Sequence, residues 1–279
     1  MKLHVINTGL FKLDGGAMFG VVPKTMWNKL NPPDENNLCT WAMRCLLLEY
    51  DDRKVLIDTG IGNKQDEKFF SYFEPHGDDS LMNSISKLGL SAEDITDVFN
   101  THFHFDHCGG AVIKEGEEFG PAFPNATYWT NKKQWEWALD PNPREKASFL
   151  KENIQPMQDA KELQFIETQD MIEVFPGFRV KFVYGHTEAM MIPHIDFNGK
   201  TVVYMADLIP STAHVHLPFV MAYDVRPLQT LEEKGVFLQE AVDKDYVLFF
   251  EHDKNTECCT LQSDGRRTSV KDTMQLSEI

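Results

Sequence analysis

Apolar and polar positions along the chain fall into two kinds of repeat. Short runs that alternate, or are apolar throughout, predict strands at LHVINTGL (3–10), WAMRCLLLEY (41–50), KVLIDTG (54–60), ITDVFNTH (95–102), ATYWT (126–130), FRVKFVYGH (178–186), HIDFNGKTVVYMAD (194–207) and YVLFFEHD (246–253). Between them, helical spacing covers 64–73, 80–88, 131–139, 144–153 and 228–243. Ser91, followed by Glu93 and Asp94, marks a further helix start, with acidic groups at the positive end of the dipole. Asn198-Gly199 supplies the tight turn of a hairpin, and the tail after Cys259 adds a last hairpin turning at Ser263-Asp264-Gly265. Strand blocks interrupted by helices predict an α/β layered protein with mixed sheets. No linker, repeat or low-complexity tract divides the sequence, so residues 1–279 are expected to form a single domain.

Several predicted strands end on a side chain able to bind metal: His102, His186, Asp207 and His252. Such positions lie where a stiff sheet hands over to a loop, the usual seat of chemistry on a rigid scaffold. The densest stretch is THFHFDHCGG (101–110), in which His102, His104, Asp106 and His107 crowd into six residues. Imidazole nitrogens suit Zn²⁺, and a carboxylate adds a harder oxygen and charge compensation. A spacing of two puts His102 and His104 on one side of an extended segment, whereas Asp106-His107 must turn toward a second point; the motif can therefore serve two ions. Cys108-Gly109-Gly110 reads as a flexible exit. A lone histidine is more often hydrogen-bonded or superficial than a ligand, so His4, His76, His194, His214 and His216 are set aside.

Composition narrows the partners. The net charge is −16 and no basic cluster is longer than Lys132-Lys133 or Arg266-Arg267, which argues against nucleic acid. No apolar run approaches the roughly 20 residues of a membrane span, and no signal peptide is visible, so neither membrane nor export is expected and a cytoplasmic location is the default expectation. The five cysteines show no CxxC spacing; they are expected to be reduced thiols, mostly buried, and Cys108 a buried thiol rather than a nucleophile.

THFHFDHCGG resembles the HxHxDH signature of the metallo-β-lactamase superfamily, and the likeness continues through Ile57-Asp58-Thr59-Gly60, Gly185-His186-Thr187, Ala206-Asp207 and Glu251-His252-Asp253. The resemblance implies a four-layer αββα sandwich, two mixed sheets flanked by helices. It also implies two divalent ions, zinc first and iron, manganese or cobalt as alternatives. His102, His104 and His186 would hold one, Asp106, His107 and His252 the other, and Asp207 would bridge them. Asp58 and Thr101 would orient the donors. The bridging Asp207 resembles glyoxalase II and lactonase-type members, not true β-lactamases.

A hydroxide ionised between two such ions would attack an ester-like carbonyl at neutral pH. Asp106 and Asp207 are the expected catalytic carboxylates, Asp106 as proton donor to the leaving group. The segment after Asp207 and residues 14–27 resemble the methyl-parathion-hydrolase-like and quorum-quenching lactonase branch. The expected substrate is therefore a small neutral lactone of the N-acyl-homoserine type, ahead of a phosphotriester or aryl ester. A glyoxalase II-like thioesterase and a weakly catalytic ligand sensor are the alternatives. Two departures stand out: GHTEAMMIPH replaces the usual GHTPGH, and Pro210 stands where acyl-homoserine lactonases carry a tyrosine. Met18, Phe19 and Tyr223 are the expected pocket residues, the first two at a mobile loop tip between glycines. The assembly is expected to be a monomer or homodimer.

Overall fold

The apolar runs form two large mixed sheets in a computed structural model that describes residues 1–159 and 163–279. The chain divides into two compact units, Met1–Leu10 with Met43–Thr168 and Phe11–Ala42 with Gln169–Ile279; two of the boundaries fall within strands Lys2–Asp14 and Leu38–Tyr50 and the third between Leu163–Ile166 and Met171–Phe175.

A six-stranded sheet runs in the order Lys2–Asp14, Leu38–Tyr50, Arg53–Ile57, Asp97–Phe99, Thr127–Asn131, Leu163–Ile166. Leu38–Tyr50 pairs antiparallel with Arg53–Ile57, and the next three pairings are parallel. Parallel strands need both faces covered, and Asp97–Phe99 is accordingly buried at every position. In the first unit Leu47, Leu56, Val98, Phe103, Tyr128 and Trp135 form the core. Trp135 on helix Lys132–Leu139 is thus a packing residue.

The seven-stranded sheet follows the order Thr268–Met274, Cys258–Ser263, Val247–Phe249, Lys200–Tyr204, Met190–Phe197, Phe178–Val183, Met171–Phe175. Only Lys200–Tyr204 with Val247–Phe249 is parallel. Its central hairpin turns at Asn198 and Gly199, both with positive φ, as a twisted two-residue turn requires. The expected C-terminal hairpin is also present. Helix Pro227–Asp243 buries Thr230, Lys234, Phe237, Leu238 and Ala241 along one face.

Side-chain caps set the helix starts. Asp66 accepts from Phe69 N at 2.7 Å and Asn131 from Gln134 N at 2.9 Å, each satisfying an amide that has no partner within its helix. The helix expected over 144–153 instead forms at Lys151–Asp159. Asn142 Oδ1 takes the Arg144 and Glu145 amides in a capped turn that does not continue as a helix, and the Glu145 carboxylate is held inward. Ser91 starts only the single 3₁₀ turn Ala92–Asp94. The short ribbon Val112–Glu115 with Glu118–Pro121, and the strands Leu163–Ile166 and Met171–Phe175, were not foreseen. All five cysteines are buried free thiols. Among the described residues no helix is long and apolar enough to cross a membrane.

Candidate metal centre

In the first unit, strand Asp97–Phe99 delivers the chain to Thr101 and His102, and His104 begins the one-turn helix Phe105–Cys108, which carries Asp106 and His107. That turn is locked against the loop after Arg53–Ile57. Thr59 donates to the His107 carbonyl through N at 2.7 Å and through Oγ1 at 3.0 Å, and Gly110 N reaches Gly60 O at 3.0 Å. A Cβ on Gly109 would lie 2.1 Å from the Ile61 carbonyl oxygen, so the glycine permits two backbones to touch. The expected flexible exit is therefore a rigid joint, because close backbone approach, not turn freedom, is what this glycine supplies.

Asp58 organises the donors from beneath. It is fully buried with φ 56°, a left-handed conformation that costs a non-glycine residue about 1–3 kcal/mol and gathers at functional places. Its carboxylate accepts from Thr101 N at 2.8 Å and Thr101 Oγ1 at 2.7 Å, and holds His107 Nδ1 at 3.1 Å. With its hydroxyl hydrogen committed to Asp58, Thr101 Oγ1 accepts from His102 Nδ1 at 3.1 Å. His104 Nε2 lies 3.3 Å from Glu145 Oε1, while the other Glu145 oxygen accepts from Trp137 Nε1 and Asn142 Nδ2 at 2.7 and 2.6 Å. These anchors turn His102 Nε2 and His104 Nδ1 toward each other at 3.1 Å. Asp106 Oδ2 is 3.9 Å from His107 Nε2. Beside them, burial pushes the Cys108 thiol up to about 12, which removes it as a nucleophile.

The second unit presents its donors from strand ends. His186 follows Phe178–Val183, Asp207 follows Lys200–Tyr204, and His252 follows Val247–Phe249. Asp207 Oδ2 lies 3.0 Å from His186 Nε2, and its Oδ1 lies 3.1 Å from His252 Nε2. The far nitrogens are held as well, His186 Nδ1 by Asp224 Oδ1 at 2.8 Å and His252 Nδ1 by the Ala42 carbonyl at 2.8 Å. Ala206, immediately before Asp207, has φ 41°. Burial disfavours charge on His186, yet the Asp207 and Asp224 carboxylates outweigh it and raise its pKa to about 10 in the metal-free protein.

All five imidazoles are thus fixed through one nitrogen on an oxygen partner, the arrangement that sets tautomer and ring direction for metal binding. Within each unit the donor atoms of His102 with His104, Asp106 with His107, and His186 with Asp207 come within 4.8 Å. Nitrogen and carboxylate donors of this kind fit a divalent transition metal.

Glu145 and Asp224 were missed in the sequence. Glu145 is distant from His104 along the chain, and Asp224 reaches His186 only because Val225 N and Arg226 N bond the carbonyls of His186 and Gly185. Neither carries a local signal. The expected pocket residues divide. Met18 and Phe19 are buried on the short helix Gly15–Phe19, where Phe19 stacks between Trp27 and His214 at 5.1 and 4.6 Å, so they are not a mobile tip. Ring packing and the His214 Nε2 bond to Met18 O, 2.9 Å, hold that segment down. Tyr223 is 38% exposed. His194 and His214 are buried imidazoles, the first bonded through Nδ1 to the Ile192 carbonyl and the second to Ser211 Oγ.

Comparison with known proteins assigns the class. The sequence profile of the metallo-beta-lactamase superfamily matches residues 44–252, and the chain belongs to that superfamily. It has the metallo-beta-lactamase fold, mixed α/β with sheets flanked by helices, and is a metal-dependent hydrolase. It is similar to a probable metal-dependent hydrolase from Staphylococcus aureus, with 30% identity, a TM-score of 0.87 and 98% of each chain covered. N-acyl homoserine lactonase AiiA of Bacillus thuringiensis subsp. kurstaki is 24% identical over 270 residues, 92% of this chain and 94% of that protein. AidC, a dizinc quorum-quenching lactonase solved with the product N-hexanoyl-L-homoserine, shares the fold at 22% identity and a TM-score of 0.77, covering 98% of this chain and 95% of its own.

Proposed function

We propose that residues 1–279 act as one domain whose seven donors, His102, His104, Asp106, His107, His186, Asp207 and His252, serve a dinuclear metal centre that hydrolyses lactones of the N-acyl-homoserine type. The observation that carries this reading is the anchoring of five imidazoles on Thr101, Glu145, Asp58, Asp224 and the Ala42 carbonyl, with Asp207 offering one oxygen to each of two histidines. The family match spans every one of these donors. When bound, two divalent cations, zinc first, would supply the charge that acidifies a water and polarises a carbonyl.

The chain's own groups do the rest. Asp58 and Asp224 fix imidazole tautomers, and Asp207 is the shared carboxylate. Asp106 is the group to take the proton released by the attacking water and pass it to the departing alkoxide, since Pro210 leaves no hydroxyl at the position where lactonases place a tyrosine. Met18, Phe19 and Tyr223 are the side chains proposed for the acyl pocket, the first two buried and rigidly packed and Tyr223 accessible. A neutral lactone suits the protein better than a polyanion, because a net charge of −16 repels the latter. The lactonase relatives favour it over thioester hydrolysis.

Elemental analysis of purified protein combined with turnover of N-acyl homoserine lactones tests the reading. Two equivalents of metal, lactone turnover exceeding that of thioesters and phosphotriesters, and loss of both metal and turnover in His104→Ala are expected. Undiminished turnover in that variant, or a preference for thioesters, would overturn it.

A further inference from the structure

The second unit also carries a groove of ≈ 750 Å³ with Met26, Leu30, Leu217 and Phe219 among its walls and Arg266 and Arg267 as its charged part. That volume lies in the roughly 300–1,000 Å³ range of small-molecule sites. Met26, Leu30 and Leu217 remain 55%, 44% and 41% exposed, so the apolar surface is open to solvent along one face.

Three features show that the groove is built rather than left over. Gly235 lies in the middle of helix Pro227–Asp243, where glycine is the least favoured residue apart from proline. Packing does not demand it: a Cβ there would meet only Leu217 Cδ1 at 3.6 Å, an ordinary contact. The missing side chain instead widens the groove that Gly235 lines. Its neighbour Lys234, 1% exposed, points into the protein and donates to the carbonyls of His216 and Phe219 at 2.9 and 2.8 Å. A buried amine thereby pins the 216–219 wall.

The third feature is charge. With 43 acidic against 27 basic residues, an arginine in this chain has many carboxylates to choose from. Yet among the described residues neither Arg266 nor Arg267 forms a salt bridge. The nearby Asp264 carboxylate accepts from their backbone amides, both at 2.8 Å, and the Arg267 guanidinium rests on the His216 ring, with Nη2 2.8 Å from Nδ1. Two guanidinium forks not bridged to a carboxylate, with Asp264 as their near acidic neighbour, thus accompany an apolar trough.

We propose that this groove binds an unbranched alkyl carboxylate, its chain along Met26, Leu30, Leu217 and Phe219 and its carboxylate on Arg266 and Arg267. A neutral chain would leave the forks without an anion, and an ammonium amphiphile would be repelled by them. Binding here does not require the hydrolase reading, although hydrolysis of acyl esters releases molecules of this class.

Calorimetric titration of the full chain with dodecanoate, below its micellar concentration, tests the proposal. Metal-loaded and chelator-treated protein are run in parallel, because a carboxylate also has affinity for metal. One equivalent should bind equally in both, dodecanol should bind about tenfold more weakly, and Arg266→Ala/Arg267→Ala should lose about tenfold or more. Gly235→Leu should abolish binding while circular dichroism stays native, and Leu217→Glu should do the same from the opposite wall. Absence of binding, equal affinity for dodecanol, or indifference to the arginine pair would refute the site. Binding lost on chelation but kept in the groove variants would place the ligand on metal instead, leaving the hydrolase reading untouched.

Discussion

In the first unit four donors come from six consecutive residues, His102 to His107, whereas the second unit gathers His186, Asp207 and His252 from the ends of three strands. The first set is held by a local joint, with Thr59, Gly60 and Gly110 bonding across two adjoining loops and Asp58 beneath. The second is held by sheet pairing, since Lys200–Tyr204 and Val247–Phe249 lie side by side in parallel and bring Asp207 beside His252. A local joint concentrates failure in a few backbone contacts. A set built on strand ends instead concentrates it in the carboxylate its histidines share.

Removing that carboxylate is the sharpest way to separate the two. Asp207→Ala should lower metal affinity by more than about 100-fold, beyond the roughly 10–100-fold typical of groups that only orient ligands. It leaves the first unit's bonds intact, so metal content measured after dialysis should fall while circular dichroism stays native. Near-parental metal content would show that the strand-end set does not depend on its common carboxylate.

Next come the orienting groups. Asp58→Ala and Asp224→Ala should each weaken metal binding by about 10–100-fold in chelator competition. Only Asp58→Ala should also lower the melting temperature strongly, because Asp58 additionally receives the Thr101 amide and hydroxyl. If the two variants melt alike, the contrast between a structural joint and a pure orienter fails.

Gly109→Ala probes the joint itself. The added methyl meets the backbone carbonyl of Ile61, which cannot swing aside as a side chain could, and the expected cost is about 1–3 kcal/mol. Denaturant unfolding measures it, and a loss below about 0.5 kcal/mol would mean that the loops slide freely.

The last contrast is a pH dependence in the second unit. Burial lowers the pKa of Lys234 to about 7, whereas an unfolded lysine keeps its proton to about 10.4. Between those values the unfolded chain binds more protons, so this residue makes stability rise with pH across the window; below about 7 its penalty is fully present. The stability difference between parent and Lys234→Met should therefore change across pH 7–10 and level off below it. A difference independent of pH would remove the buried cation from the account.

Much of this protein was legible in its residue order. Alternation and apolar runs located most of the strands, Asn198-Gly199 located a hairpin, and THFHFDHCGG announced metal chemistry, because these signals are carried by neighbours in sequence. The helix misplaced at 144–153 and the residues Glu145 and Asp224 were not legible, since each depends on a partner far along the chain. Met18 and Phe19 were misjudged as a mobile tip for the same reason: flanking glycines are visible in the sequence, but the stacked rings of Trp27 and His214 are not. The sequence by itself determined which atoms can donate to a metal, because donor chemistry belongs to the side chain. Only the tertiary structure decided which nitrogen of each imidazole is tied back and which faces another donor, because that choice is made by hydrogen bonds between residues that meet only when the sheets form.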